Sequence, residues 1–127
     1  MISTYFASLK SCLATSAGIL RYQIREELVR VDDGVIRLKA SLKDGGLLEI
    51  SEYIVVREGR ITRVAYSYHW QDRNGNLKMR WDNVAHHREI STFPHHIHLG
   101  SEANVIPSDA PELARILTEI EEKLGRG

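Results

Sequence analysis

Between residues 20 and 81 apolar and polar residues alternate, and short turn signals cut the alternation at close intervals. No other feature restricts the fold as much. Asp32-Asp33-Gly34, Lys43-Asp44-Gly45-Gly46, Glu58-Gly59 and Asn74-Gly75 all combine residues that tolerate the tight or left-handed backbone of a hairpin. Ile36, Leu38, Ala40 and Leu42 alternate cleanly with Arg37, Lys39, Ser41 and Lys43. A period of two buries one face of a strand and leaves the other to water. Leu20, Tyr22, Ile24 and Leu28 form an earlier stripe, interrupted by Glu26. Leu48, Ile50, Ile54 and Val56 form a later one, interrupted by Glu52. Thr62, Val64, Tyr66, Tyr68 and Trp70 follow, and then Leu77, Met79 and Trp81. Strands joined by such short turns pair with their sequence neighbours, which predicts an antiparallel meander of about five strands.

A helix is expected on either side. Ile2, Tyr5, Phe6, Leu9, Cys12 and Leu13 recur at helical spacing, with Ser3 or Thr4 as N-cap and Gly18 as the stop. Leu113, Ile116, Leu117, Ile120 and Leu124 make a second stripe that Gly125 ends. Asp109 as its cap would put Pro111 in the first turn and Glu112 in capping-box position. Residues 84–107 lack a period and read as an extended arm, with Pro94 biasing Phe93 away from helix. The expected architecture is one α+β domain over residues 1–127: N-terminal helix, meander, extended His-rich arm, C-terminal helix.

Charge and cysteine content narrow the function. Seventeen basic residues balance seventeen acidic ones, so no global field draws the molecule to nucleic acid or an anionic membrane. A polyanion site must therefore be a local patch. One cysteine, Cys12, excludes an internal disulfide and fits a reducing compartment. The chain has no run of transmembrane length and no secretion-signal pattern, so a cytoplasmic protein without membrane contact is expected.

The chemistry concentrates late in the meander and in the arm, where all six histidines lie. Imidazole changes charge near neutral pH and ligates metals. In an extended chain positions two apart share a side, roughly 6.6 Å apart. His96 and His98 can thus face one object while His95 turns away. A metal would be held by His86, His87, His96 and His98, with Asp82 or water completing the shell, although the spacing matches no standard zinc pattern. The alternatives are acid–base chemistry at a phosphate, or an arm whose rings merely pack at a sheet edge. Arg80 and Asp82 share a strand face opposite Met79 and Trp81, and Asn83 ends the strand. Arg80 can grip a phosphate through two N–H groups, or simply pair with Asp82 for at most about 1 kcal/mol. His69 lies on the face of its strand opposite Tyr66, Tyr68 and Trp70 and can meet Arg80 across the Asn74-Gly75 hairpin. Those three aromatics can stack bases, though a core face is the commoner use of such a stripe. Glu26 and Glu52 sit where apolar residues are expected. A carboxylate turned to the core needs a partner or a raised pKa, unless a bulge returns it to solvent, and Glu52 is the stronger candidate for a site.

These segments resemble a known family. Tyr66-Ser67-Tyr68-His69-Trp70-Gln71-Asp72, Arg80-Trp81-Asp82-Asn83, His86-His87 and Thr92-Phe93-Pro94-His95-His96-Ile97-His98 look like the TumE-like small proteins of prokaryotes, toxin components of type II toxin–antitoxin modules. The match covers about a quarter of the chain in the right order, and the acidic C-terminal helix also fits. Val84 departs from it, where proline or alanine is commoner. The resemblance implies a toxin neutralised by a neighbouring antitoxin, often a helix-turn-helix DNA-binding protein. It marks His69, Arg80, Asp82, Asn83, His86, His87, His95, His96 and His98 as functional positions and supplies no reaction. The reading that follows is a toxin acting on RNA as an endoribonuclease. His69, Arg80, Asp82, His95, His96 and Glu52 would be its catalytic set, and Tyr68, Trp81, Asn83, His86 and His87 would line the substrate. No cofactor is required. A metal-binding hydrolase using the histidines and a non-catalytic module docking through the arm are the alternatives, and self-association is left open.

Overall fold

The computed structural model describes residues 1–125. Helix α1 (Ile2–Thr15) is followed by strands β1 (Ile19–Val29), β2 (Asp33–Leu42), β3 (Leu47–Arg57), β4 (Arg60–Gln71) and β5 (Leu77–Asp82). Two short strands, β6 (His96–Leu99) and β7 (Val105–Pro107), precede helix α2 (Leu113–Gly125). The strands form one antiparallel sheet in strict sequence order, the meander the turn signals demand. The α+β expectation holds, with seven strands in place of five. The additional pair lies inside the segment expected to be an arm. His96–Leu99 has no partner of its own in sequence pattern, but it completes the ladder of β5 and supports β7.

Both helices lie on one face of the sheet. Ile2, Phe6, Leu9 and Leu13 of α1 and Leu113, Ile116, Leu117 and Ile120 of α2 enter the same apolar cluster as Ile36, Leu38, Leu48, Ile50, Tyr68, Trp70 and Trp81. The approach is close at Gly34, where a Cβ would stand 2.9 Å from the Ile2 side chain. The opposite face carries the polar half of each alternation, and among the described residues no helix covers it. Among the described residues no helix is long and apolar enough to cross a membrane.

Three local expectations are corrected. Met1 occupies the cap of α1 without a side-chain hydrogen bond, so neither Ser3 nor Thr4 caps it. Asp109 does not cap α2, which begins at Leu113; its carboxylate is held by the Arg115 guanidinium. Leu20, Ile24 and Leu28 do not form a buried stripe but stay exposed: bulges at Ile19/Arg21 and Ile24/Glu26 take Leu20 and Leu28 out of step, while Ile24, in register with buried Leu38, remains half exposed on this edge strand. The second bulge also leaves Glu26 in solvent.

Candidate functional site

The helix-free face becomes a site where three strands bring two rungs together. In register His69 of β4 faces Arg80 of β5, which faces His98 of β6. The next rung runs Ser67, Asp82, His96. All six side chains line one groove of about 880 Å³, bordered by His86, His87 and Glu102 from the loops. Arg25, Arg37 and Lys39 extend it across the sheet, alongside Glu49. The arm therefore folds back alongside β5 as the next strand, and His96 and His98 are buried, at 2% and 5% exposure.

Asp82 is the anchor. It is 3% exposed and accepts hydrogen bonds from Arg80 Nε and the Val84 amide, each at 3.1 Å. His96 Nε2 stands 2.9 Å from its Oδ1, and His98 Nε2 stands 3.5 Å from its Oδ2. The two Nε2 atoms are 3.1 Å apart. On the far side of each ring, Nδ1 lies 2.9 Å from a backbone carbonyl, that of Pro94 for His96 and of Glu102 for His98. His87 packs edge-on against both rings, with centroids 4.9 and 5.8 Å away. One nitrogen from each of His87, His96 and His98 falls within 4.8 Å of the other two.

Arg80 carries the fixed positive charge beside this cluster. Both terminal nitrogens donate to Glu102 at 2.5 Å, in a fork that also fits a phosphate. The Glu102 hydrogen bonds, followed by the bond to Asp82, hold the guanidinium above its ordinary pKa. In turn they hold the Glu102 carboxyl below its own. Glu102 is 63% exposed, so the pairing is open to exchange.

Glu52, Tyr68, Trp81 and His95 lie on the helix side, away from this groove. Glu52 is 1% exposed and accepts hydrogen bonds from Tyr5 Oη at 2.5 Å and Tyr68 Oη at 2.6 Å. The partner a core carboxylate requires is thus a pair of phenols, with the sheet between it and the histidine groove. Tyr68 and Trp81 are buried in the core cluster and cannot line a substrate in that groove. His95 turns away from His96, as an extended chain dictates, and shares a 2.9 Å hydrogen bond with Tyr66 Oη. Burial, then the charge of Arg63, lowers the His95 pKa. Asn83 serves the backbone: its Oδ1 accepts from the Tyr66 amide and its Nδ2 donates to the Val64 carbonyl.

Two residues escaped the sequence reading. Strict alternation places Arg63 opposite Tyr66 and Tyr68. A bulge between Tyr53/Ala65 and Ile54/Arg63 brings it to their side, where Nη1 donates to Tyr68 Oη at 2.7 Å. The guanidinium also lies 4.2 Å from the Tyr66 ring centre and bonds the carbonyls of Ala110 and Pro111 ahead of α2. Burial works against its charge, and Tyr68, Glu52 and Tyr5 together raise the pKa. Burial, followed by the Glu52 charge, raises Tyr5 and Tyr68, and burial pushes Tyr66 up to about 12. Glu102, the other omission, gave no signal as one exposed acid in a turn.

Among known proteins, a family model described as Toxin TumE matches residues 9–124, nearly the whole chain. No curated protein and no solved structure matches.

Proposed function

Because the chain belongs to the TumE toxin family, we propose that it is the toxin of a toxin–antitoxin module and that it attacks RNA in the polar groove. Cleavage by the RNA's own 2′-hydroxyl needs a base, an acid and a cation at the phosphate. Arg80 is the cation. A phosphate replaces the Glu102 carboxylate in its fork, since both present two oxygens at similar spacing. His69 sits directly across the ladder from Arg80 and His86 lies at the exposed end of the groove, and these two take the acid and base roles. Arg25, Arg37 and Lys39 lead the backbone in, which supplies the local patch that a molecule of zero net charge requires.

The observation that carries this reading is the convergence of His69, Arg80 and the arm histidines on one open sheet face. The partner is an antitoxin, of the helix-turn-helix DNA-binding kind that commonly accompanies such toxins, and the setting is the cytoplasm. The test is purified toxin incubated with a mixed RNA substrate, with and without chelator, beside His69→Ala and Arg80→Gln. The expected result is cleavage that falls at least about 100-fold in either variant, the scale of one lost acid–base or charge-stabilising group. RNA left intact in every tube overturns the reading.

A further inference from the structure

We propose that His87, His96 and His98 form a binding site for a divalent transition metal of the zinc class, with Asp82 as the adjoining carboxylate. The inference starts from proton accounting. A backbone carbonyl only accepts, so the 2.9 Å contacts to Pro94 O and Glu102 O place the Nδ1 proton on His96 and on His98. Each neutral ring then presents a bare lone pair at Nε2. These lone pairs face one another at 3.1 Å, and the Asp82 carboxylate stands 2.9 and 3.5 Å away. Arg80 and the Val84 amide donate to Asp82. Neither is bonded to the imidazole nitrogens. Acceptors turned on one point, in a site almost closed to water, require a cation between them.

A proton and a metal ion both meet that requirement, and two observations favour the metal. The first is His87, whose nitrogen also comes within 4.8 Å of the other two, although a shared proton needs no third imidazole. The second is the carbonyl behind each buried ring, which fixes ring orientation and raises ligand basicity as outer partners of metal-bound histidines do. Ligand atoms about 2.1 Å from a tetrahedral ion stand about 3.4 Å apart. The 3.1 Å separation of the His96 and His98 nitrogens is close to that spacing, and a modest inward turn of His87 completes it. Three imidazoles with one carboxylate beside them suit zinc, cobalt or nickel and not magnesium, which takes oxygen ligands. The fourth position remains for water or substrate. These three rings are not the acid and base named above, so the site stands whether or not RNA is the target.

The test uses the full chain, expressed without a histidine tag. Metal content after purification without chelator is measured first and is expected near one zinc-class ion per chain. Protein stripped by chelator and dialysed is then titrated with cobalt chloride and with zinc chloride. Cobalt should give the visible d–d bands of an N/O site, and zinc should raise Tm by about 5 °C or more. Magnesium should do neither. His98→Gln and Asp82→Asn should bind cobalt at least 10-fold more weakly, whereas His95→Gln, on the other face, should bind it as the parent does. If His98→Gln fails to fold, the stripped parent protein decides alone. A metal-free sample that shows no cobalt bands and no zinc-dependent Tm shift overturns the site. Bands that persist unchanged in Asp82→Asn and His98→Gln also overturn it. RNA cleavage is scored separately: metal bound to a protein that leaves RNA intact refutes the RNA reading alone, and cleavage by metal-free protein supports the RNA reading while the cobalt and zinc titrations alone decide the metal site.

Discussion

Tyr68→Phe isolates the polar network buried beneath the helices. The hydroxyl donates to Glu52 Oε2 at 2.6 Å and accepts from Arg63 Nη1 at 2.7 Å, and Tyr68 has no exposure to water. Hydrogen bonds to charged groups contribute about 1.5–3 kcal/mol each, so the naive loss is about 3–6 kcal/mol. Both partners keep other bonds: Glu52 keeps Tyr5 Oη, and Arg63 keeps the Pro111 and Ala110 carbonyls. That retention places the expected cost at about 3 kcal/mol, near the lower end of the range. Tyr5→Phe removes one bond from the more accessible side of the same carboxylate and should cost about 1.5–2 kcal/mol. Urea unfolding followed by tryptophan fluorescence measures both, since Trp70 and Trp81 sit in the same core. The double variant should be non-additive by about 1 kcal/mol or more, because both hydroxyls serve one carboxylate. A Tyr68→Phe protein within about 0.5 kcal/mol of the parent, with an unchanged denaturant slope, refutes the claim that the network is stabilising.

Other outcomes follow from the same geometry. Glu102→Gln weakens the fork on Arg80 and should tighten binding of a phosphate-bearing oligonucleotide several-fold in a fluorescence-anisotropy titration; equal or weaker binding contradicts the exchange. Asn83→Ala orphans the Tyr66 amide and the Val64 carbonyl at the bulge of β4, and should lower stability by about 1–2 kcal/mol in thermal denaturation. The Tyr66 phenol, raised in the fold to about 12, favours the folded state fully below its ordinary value of 10. That contribution, on the order of 2 kcal/mol, is lost as pH climbs from about 10 to about 12. Tyr5 and Tyr68, raised further by burial and Glu52, act in the same direction. Phenolate absorbance at 295 nm should therefore appear together with unfolding across that window, and smooth early ionisation of all five tyrosines would contradict it.

A clean period of two made much of the fold legible, since strands half-buried against helices must alternate. Ile36, Leu38, Ala40 and Leu42 show this directly, and each is buried as the pattern requires. The reading failed where register slips. At β1 two bulges take Leu20 and Leu28 out of step, and at β4 another turns Arg63 inward. A bulge costs one residue of register and leaves no mark in composition. The two final strands were missed for a related reason, because four residues at β6 and three at β7 are too short to display a period.

Sequence by itself determined that strands would pair with their neighbours, that one face of the sheet would be buried, and that the imidazoles would be confined to the end of the sheet and the segment after it. Alternation also settled that His96 and His98 point one way and His95 the other. Which of the candidates share a site was decided by tertiary structure alone. Glu52 and Asp82 are equally out of place as buried carboxylates in a strand, yet the first meets two phenols among the helices and the second meets two imidazoles in the groove. Alternation had already put the two on opposite faces, and what the tertiary structure adds is what the chain folds over each face. That outcome depends on contacts between residues far apart in sequence, which no local pattern encodes.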